Sequence, residues 1–188
     1  MAELLEYFKR NFTHLYYEMK NCDQTSPYHK EGDVWTHTKM VFKEARKTGI
    51  KEIELAALLH DIGKIKTREV RENGRVSFFG HEEESALMSP EILDNIISNL
   101  EEYKYVDRDI VLFIIEKHGS LYNYIKEPEK QKFKNRAARK FQNNPGLLKH
   151  LKIFYECDHL GRISDVKSKN LKKELEWFDE IIFMIEKQ

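Results

Sequence analysis

The sequence predicts an all-α fold: a single helical domain over residues 1–188, with one small β-hairpin near residues 67–79. Three observations lead to this prediction. Apolar residues recur every three or four positions along most of the chain, which is the period of an amphipathic helix. Alternation typical of a strand is confined to one segment around Asn73-Gly74. The 188 residues contain no repeat or linker, and this length is typical of one domain.

The N-terminal quarter of the chain predicts two helices separated by a loop. Apolar residues from Leu4 to Met19 share one face, so we expect a single amphipathic first helix. The polar stretch from Asn21 to Gly32 is expected to be a loop. Asp33 is a suitable N-cap for a helix that runs to Lys47, and Gly49 stands where a C′ glycine ends a helix.

The next segment predicts a buried helix followed by the hairpin. Residues 51–61 are short and strongly apolar, which indicates a helix at the centre of the core, and Gly63 is its expected stop signal. Alternating residues then flank Asn73-Gly74, a pair favoured in tight hairpin turns because both residues tolerate positive φ.

Helices are expected over the rest of the chain. One begins at about Gly80, with a break or kink near Ser89-Pro90 because proline cannot donate a helical hydrogen bond. The other predicted helices cover about residues 107–117, 127–143, 146–161 and 168–186.

Composition narrows the classes of function and the compartment. Lys and Arg number 32, as do Asp and Glu, so no global basic field attracts nucleic acid and no readout of double-stranded DNA is expected. Cys22 and Cys157 form no CxxC pair, which favours a reducing interior over a disulfide or thiolate site. No signal peptide and no apolar stretch of about 18 residues is found, so we expect a cytoplasmic protein without a membrane partner.

Histidines and acids suggest a metal site assembled from distant parts of the chain. The candidates are spaced by 23, 1, 20, 37 and 40 residues, unlike the short ligand spacing of a zinc finger. Imidazole and carboxylate donors without thiolates suit a catalytic divalent ion, and a carboxylate can bridge two ions. The candidate ligands are His37, His60, Asp61, His81, His118 and Asp158.

Each candidate ligand also has an ordinary structural explanation. His118 can cap a helix C-terminus by interacting with the helix dipole, and His81 can be a solvated helix start before three glutamates. A lone histidine on a helix is more often structural than a ligand. The residues taken singly therefore leave both interpretations open.

The neighbours of the candidates resemble one family. The segments in question are YHKEGDVWTHT (28–38), ALLHDIGKIKT (57–67), FFGHEEESA (78–86), EKHGS (116–120) and CDHLGR (157–162). In this order they resemble the motifs of the HD superfamily of metal-dependent phosphohydrolases. The most similar members are the HD domain of bacterial tRNA nucleotidyltransferases and the HD phosphatase module of RNA-repair polynucleotide kinases. The resemblance covers residues 28–162.

The resemblance implies how the candidates divide between ions. His37, His60, Asp61 and Asp158 would hold one divalent ion. The two middle histidines, His81 and His118, would hold a second ion or contact substrate phosphate. Whether one ion or two is bound stays open, as does the choice among Mn, Ni, Co, Fe, Zn and Mg.

The resemblance and the residue chemistry also suggest phosphate contacts. Lys64 would lie near the substrate phosphate, the alternative being a solvated lysine at a helix end. Arg162, four residues after Asp158, is a candidate phosphate clamp unless Gly161 ends the helix first. Arg136 and Arg139 belong to a basic amphipathic segment that is either a solvated face or a contact for an RNA or nucleotide end. His29 and Glu31 are expected at the mouth of the site, and His14, His150 and His159 match no motif.

The leading hypothesis is a phosphohydrolase that acts on a nucleotide or an RNA end, cleaving a 2′,3′-cyclic phosphate or a terminal 2′- or 3′-phosphate by metal-activated water. His60, Asp61, Lys64 and His118 are the expected catalytic residues, with His81, Arg162 and Arg139 binding substrate. The alternatives are a nucleotidase acting on free nucleoside mono- or triphosphates or on an alarmone, a non-catalytic nucleotide-binding module, and, more remotely, a di-iron oxygenase. The sequence leaves oligomeric state open.

Overall fold

The computed structural model describes residues 2–125, 127, 129–164 and 171–187. These residues form an all-α fold with one two-stranded antiparallel sheet, as the sequence predicts. None of the described helices is both long and apolar enough to cross a membrane. The elements are α1 (Ala2–Asn11), α2 (Thr13–Asn21), α3 (Val34–Lys47), α4 (Lys51–Leu59), α5 (Lys64–Thr67), β1 (Glu69–Val70), β2 (Val76–Ser77), α6 (His81–Asn99), a 3₁₀ turn (Glu101–Tyr103), α7 (Arg108–Lys117), α8 (Tyr122–Ile125), α9 (Gln131–Phe141), α10 (Pro145–Leu160) and α11 (Leu171–Glu186).

The predicted first helix is two helices, α1 and α2, separated at Phe12 with φ −123° and ψ 45°. Side chains compete there with the helical hydrogen bonds. The Thr13 hydroxyl donates to the carbonyl of Lys9 at 2.8 Å, and the Asn11 amide donates to that of Tyr7 at 2.9 Å. Such local bonds satisfy the carbonyls at the end of α1 and favour a break that periodicity does not reveal.

Helix α3 follows the sequence prediction closely. Asp33 caps it by accepting a hydrogen bond from the Thr36 amide at 2.8 Å, and Gly49 takes a positive φ of +70° after its end. The preceding loop is closed by a short antiparallel bridge between Asp23 and Asp33. This bridge fixes the loop beside the first turn of α3.

Gly63 has a different role from the expected stop signal. Its φ is −66°, which any residue adopts, but an added Cβ would lie 2.5 Å from the His81 carbonyl and from the Ser85 amide. Its own amide donates to the Ser85 hydroxyl at 2.9 Å. Glycine is needed here because the turn after α4 approaches the backbone of α6 closely.

The hairpin lies where the sequence places it. Glu69 pairs with Ser77 and Val70 with Val76, and the Arg71 amide closes the loop on the Arg75 carbonyl at 2.9 Å. Only Gly74 of the Asn73-Gly74 pair has a positive φ, of +76°. The loop is therefore a three-residue turn that ends in a left-handed glycine, and Asn73 does not take the positive φ that its residue type tolerates.

Helix α6 is continuous through Pro90, so of the two alternatives predicted near Ser89-Pro90, a break or a kink, the break is wrong. Proline removes one helical hydrogen bond, but Ile92, Leu93 and Ile96 beyond it are buried in the core, and their packing keeps the chain helical. The Ser89 hydroxyl also donates to the Ser85 carbonyl at 2.7 Å.

The C-terminal helices differ from the predictions at their ends. The predicted helix over 127–143 is the shorter α9, and residues 126 and 128 lie outside the described part. Asn144 ends that segment because its side chain caps α10 by accepting from the Leu147 amide. The predicted start of the last helix, 168–170, also falls outside the described residues, which place α11 from Leu171.

Two hydrophobic clusters share α10. The first surrounds α4, whose residues from Ile53 to Leu59 are all buried, and the second packs α9 and α11 together. Phe154 of α10 belongs to the first cluster and Leu151 to the second, while Phe113 of α7 packs against both. The end of α4 thus delivers its next residues into the interior of the first cluster.

Candidate metal centre

His60 and Asp61 lie directly after the buried helix α4, and each is only 1% exposed. Helix α4 packs against α3, α7 and α10, so residues at its end face side chains from all three. A carboxylate in such a place requires several polar partners. Asp61 finds them on both of its oxygens.

Three of the histidines are held by the same local bond. The Nδ1 atoms of His60, His81 and His118 lie 3.1, 2.8 and 2.7 Å from the carbonyl three residues earlier in the chain. A carbonyl only accepts, so each Nδ1 carries the proton and each Nε2 presents a lone pair. This is the tautomer and the support that a metal-ligating histidine needs.

The first group of possible ligands surrounds the Asp61 Oδ2 atom. His60 Nε2 lies 3.1 Å from this oxygen, and His37 Nε2 lies 3.5 Å from it. Asp158 joins the group because its Oδ1 atom is 3.2 Å from His37 Nε2. These residues come from α3, the end of α4 and α10.

The second group surrounds the other oxygen of the same carboxylate. His81 Nε2 lies 3.4 Å and His118 Nε2 lies 3.9 Å from Asp61 Oδ1. These histidines stand at the start of α6 and just after α7. Asp61 therefore belongs to both groups, with one oxygen in each, and all six predicted ligands meet in one cluster.

Burial keeps the histidines of the cluster neutral. It lowers the pKa of His81 to about 4 and that of His118 to about 3, and it lowers the pKa of the two buried histidines of the first group as well. Burial alone raises the pKa of Asp61, but the adjacent His60 ring and the Lys64 ammonium group outweigh it and hold that pKa well below its usual range. The cluster presents neutral imidazoles around an ionised carboxylate, which is the protonation state that metal ligands require.

Two features of the cluster fit a divalent cation. The buried His60 Nε2 has no hydrogen-bond partner among the described residues. The Nε2 atoms of His81 and His118 lie only 3.2 Å apart, so two lone pairs face each other when both Nδ1 atoms carry protons. A cation among these atoms would give the buried His60 Nε2 a partner and would remove the repulsion between the two facing lone pairs. The nitrogen and oxygen donor set suits a catalytic ion.

Glu31 does not lie at the mouth of the site. It contacts the Nδ1 side of His37, whose Nε2 atom faces Asp61. Its side chain is fully buried, and its Oε1 atom lies 2.8 Å from His29 Nδ1 and 3.0 Å from His37 Nδ1. Burial raises the pKa of Glu31, but the hydrogen bond with His29 and the close approach of the His37 ring lower it further than burial raises it. His29 lines the cavity, as the mouth position implies, and burial lowers its pKa to about 4.

Lys64 and Arg162 both reach the site, but each is paired with an acid. Lys64 is buried, and its Nζ donates to Asp61 Oδ2 at 2.7 Å, so the solvated interpretation is wrong. Helix α10 ends before Gly161, where an added Cβ would lie 2.6 Å from the Val41 backbone. Arg162 nevertheless turns back to pair with Asp158 Oδ2 and donates from Nε to the Asp158 carbonyl at 3.2 Å.

The cluster opens into a cavity of about 710 Å³. Aromatic side chains of Tyr28, Phe78 and Tyr122 line it, and the hairpin contributes Arg75 as a further cation. Arg139 is exposed on α9 and is not among the residues that line this cavity. The sequence prediction missed the aromatic residues and Gln24, because nothing in their local pattern distinguishes them from other loop residues.

The remaining histidines lie outside the cluster. His14 is largely exposed beside Glu18, and His150 Nδ1 bonds the Gly146 carbonyl at 2.9 Å within α10. The ring of His159 contacts Tyr155. None of the three lines the cavity, in agreement with their lack of any motif.

Comparison with known proteins identifies the class. The HD domain family matches residues 34–161, which is most of the chain, so this protein belongs to the HD domain family. All six residues of the cluster fall inside the matched range. No curated protein and no solved structure matches the chain. HD domains are in general metal-dependent phosphohydrolases that bind divalent ions, and the described residues contain a histidine and aspartate cluster able to hold them.

Proposed function

We propose that this protein hydrolyses phosphoesters of nucleotides or RNA ends, with a 2′,3′-cyclic phosphate or a terminal 2′- or 3′-phosphate as the reacting group. The observation that carries the proposal is the position of Asp61. One carboxylate supplies an oxygen to each of two groups of neutral histidines, and both groups face a single cavity. Such an arrangement serves phosphoester hydrolysis better than a structural site, which closes its coordination.

Different residues of the site would hold the metal ions and contact the phosphate. When bound, divalent ions at such a site supply a nucleophile from water at neutral pH and neutralise charge on the phosphoryl oxygens. His37, His60, Asp61 and Asp158 would hold the first ion, and His81 and His118 would share Asp61 with the second. Lys64 places a fixed positive charge beside Asp61, where a phosphate oxygen can also approach it.

The choice of a nucleotide or RNA end rests on the cavity and on the resemblance. A volume of about 710 Å³ suits a nucleotide, and ligand pockets of roughly 300–1,000 Å³ are usual for small molecules. Tyr28, Phe78 and Tyr122 offer aromatic faces on which a base can stack. The motif resemblance to the HD modules of tRNA nucleotidyltransferases and polynucleotide kinases favours a terminal phosphate of this kind.

A nucleotidase acting on free nucleotides is the second candidate. The same cavity is large enough for a whole nucleoside monophosphate, and the hairpin residue Arg75 gives it a cation separate from Lys64. A 5′-phosphate could then take the place of the 2′- or 3′-phosphate. The two candidates share the metal cluster and differ in which ester oxygen leaves.

The test is turnover of purified protein across a panel of substrates and metals. The substrates are 2′,3′-cyclic AMP, 2′-AMP, 3′-AMP, 5′-AMP, ATP and an aryl phosphate, each with Mn²⁺, Ni²⁺, Co²⁺ and Mg²⁺. We expect the first three substrates to be cleaved with the highest kcat/KM. The double variant His60→Ala/Asp61→Ala should fall to background, since it removes the carboxylate shared by both groups and a histidine of the first group.

A matched control replaces the same residue types outside the site. His14→Ala/Asp109→Ala changes a histidine and an aspartate that do not line the cavity, and should retain activity. Full activity in the His60 and Asp61 double variant would contradict the proposal. Tight metal binding without turnover of any substrate would instead support the non-catalytic module.

A further inference from the structure

Gln24 is a buried polar residue of the cavity wall. It belongs to the loop between α2 and α3, is 1% exposed and lines the cavity. Its amide nitrogen in the backbone donates to the Gly32 carbonyl at 2.9 Å, beside the bridge that joins Asp23 to Asp33. A second bridge, between Ser26 and His29, follows Gln24 in the chain, so the loop is anchored on both sides and the side chain is held by a fixed backbone.

The orientation of the Gln24 amide is determined by its neighbour. Lys64 Nζ lies 2.8 Å from the Gln24 Oε1 atom, and an ammonium group can only donate. The oxygen must face Lys64, so the NH₂ group points away from it. The buried Nε2 atom has no hydrogen-bond partner among the described residues.

A buried NH₂ group without an acceptor is costly, by about 1–3 kcal/mol in proteins, and a ligand that brings acceptor oxygens removes the cost. Lys64 connects this amide directly to Asp61, since its Nζ also donates to Asp61 Oδ2 at 2.7 Å. Gln24 lines the same cavity as the cluster, and its Oε1 atom is joined to Asp61 through the single Lys64 ammonium group. A donor without a partner, in a cavity that also holds a lysine cation, favours an anionic oxygen as its acceptor.

We propose that the Gln24 NH₂ group binds a non-bridging phosphate oxygen of the substrate, with Lys64 holding the amide in place. This assignment rests on the proposed function, because it concerns the phosphate of the same site. It adds a substrate contact that lies before the range matched by the HD domain family, which begins at residue 34. Gln24 would select phosphate over a neutral group at this position.

Two substitutions separate the donor from the support of Lys64. Gln24→Glu keeps an acceptor for Lys64 but replaces the NH₂ group by an oxygen, and Gln24→Met removes the donor without adding charge. Both should weaken inhibition by inorganic phosphate, by about 10- to 100-fold for the loss of a hydrogen bond to a charged group. Gln131→Glu, the same change on α9 away from the cavity, should leave the inhibition constant unchanged. Metal content is measured on every variant at saturating metal.

A measurement on the unaltered protein covers the case in which a variant does not fold. The side-chain NH₂ resonances of Gln24, assigned by their absence in Gln24→Glu or Gln24→Met, are followed in Zn²⁺-loaded protein during titration with inorganic phosphate and, separately, adenosine. Shifts with phosphate and not with adenosine support the proposal. Shifts with adenosine alone overturn it, as does unchanged phosphate inhibition in Gln24→Met.

The same data keep the two proposals apart. Phosphate-dependent shifts in a protein that turns over no substrate leave the Gln24 contact standing and overturn the proposed function. Turnover of 2′,3′-cyclic AMP with no response at Gln24 supports the proposed function and overturns the Gln24 contact.

Discussion

Asp61 connects the two groups of histidines through its two carboxylate oxygens. His60 and His37 approach Oδ2, whereas His81 and His118 approach Oδ1. A residue shared in this way affects both groups when it is changed. A residue that belongs to one group affects that group alone.

This asymmetry predicts how substitutions change metal stoichiometry. We expect the protein to bind two divalent ions, His118→Ala to lose the second and keep the first, and Asp61→Asn to weaken both, since an amide is a poorer bridging ligand than a carboxylate. Metal content after gel filtration and calorimetric titration measure this. An unchanged content of two ions in His118→Ala would contradict the assignment, and His150→Ala is the matched control.

A second residue-scale prediction concerns the buried Glu54. The Tyr103 hydroxyl donates to Glu54 Oε2 at 2.7 Å, and both residues are 1% exposed. Tyr103→Phe removes a donor from a buried carboxylate, so the free energy of unfolding should fall by about 1–3 kcal/mol. Urea denaturation measures it.

The control for Tyr103 is a tyrosine with the same bond at the surface. The Tyr7 hydroxyl donates to Asn95 Oδ1 at 2.7 Å, and water can replace it there. Tyr7→Phe should change stability by less than about 0.5 kcal/mol. Equal losses of unfolding free energy in the two variants would show that the burial of Glu54 does not determine how much stability is lost.

At the scale of single elements, α9 carries a row of exposed cations. Lys132, Arg136, Arg139 and Lys140 fall on one face at helical spacing. No ion pair joins any of the four to an acid among the described residues, whereas Lys134 on the same helix pairs with Glu180. Burial lowers the pKa of Lys140, with the charge of Lys117 adding to the effect. Lys117, whose charge acts on Lys140, directly precedes the cluster residue His118.

We therefore expect α9 to bind the backbone of an RNA substrate. Arg136→Glu/Arg139→Glu should raise KM for an oligonucleotide with a 2′,3′-cyclic phosphate end and leave KM for 2′,3′-cyclic AMP unchanged. The slope of log KM against log salt concentration should fall by about 1–2, as phosphate contacts are lost. Lys172→Glu/Lys173→Glu on α11 is the charge-matched control. Equal effects on both substrates would mean that α9 plays no part in strand binding.

For the whole molecule, the sharing of α10 and α7 between the two hydrophobic clusters predicts one cooperative unit. Trp35 lies in the first cluster and Trp177 in the second, and they are the two tryptophans of the chain. In Trp35→Phe and Trp177→Phe, the fluorescence of the remaining tryptophan should follow the loss of helical circular dichroism with one midpoint. Added metal should raise that midpoint, because it binds the folded state.

Separate midpoints for fluorescence and circular dichroism within one variant would contradict a single domain. The comparison is made inside each variant, so the cost of the substitution itself does not enter.

The sequence by itself determined the helical fold class, the position of the hairpin and the ends of several helices, and it named the six residues that meet in the cluster. The helices follow from local periodicity and from capping residues such as Asp33 and Gly49. The cluster residues follow from motifs whose order along the chain does not depend on how the chain folds. The sequence did not determine the break at Phe12 or the continuity of α6 through Pro90. At both positions a helical and a non-helical backbone have similar local energies, and packing against the rest of the molecule decides between them.

Only the tertiary structure decided which atoms meet. Gly63 is required by the backbone of α6, Glu31 lies behind His37, and Arg162 turns back onto Asp158. The unpartnered amide of Gln24 results from the position of Lys64, 40 residues away in the chain. Hydrogen bonding and charge pairing act over a few ångströms, so roles that depend on them are set by packing between distant segments and leave no pattern in the sequence around each residue.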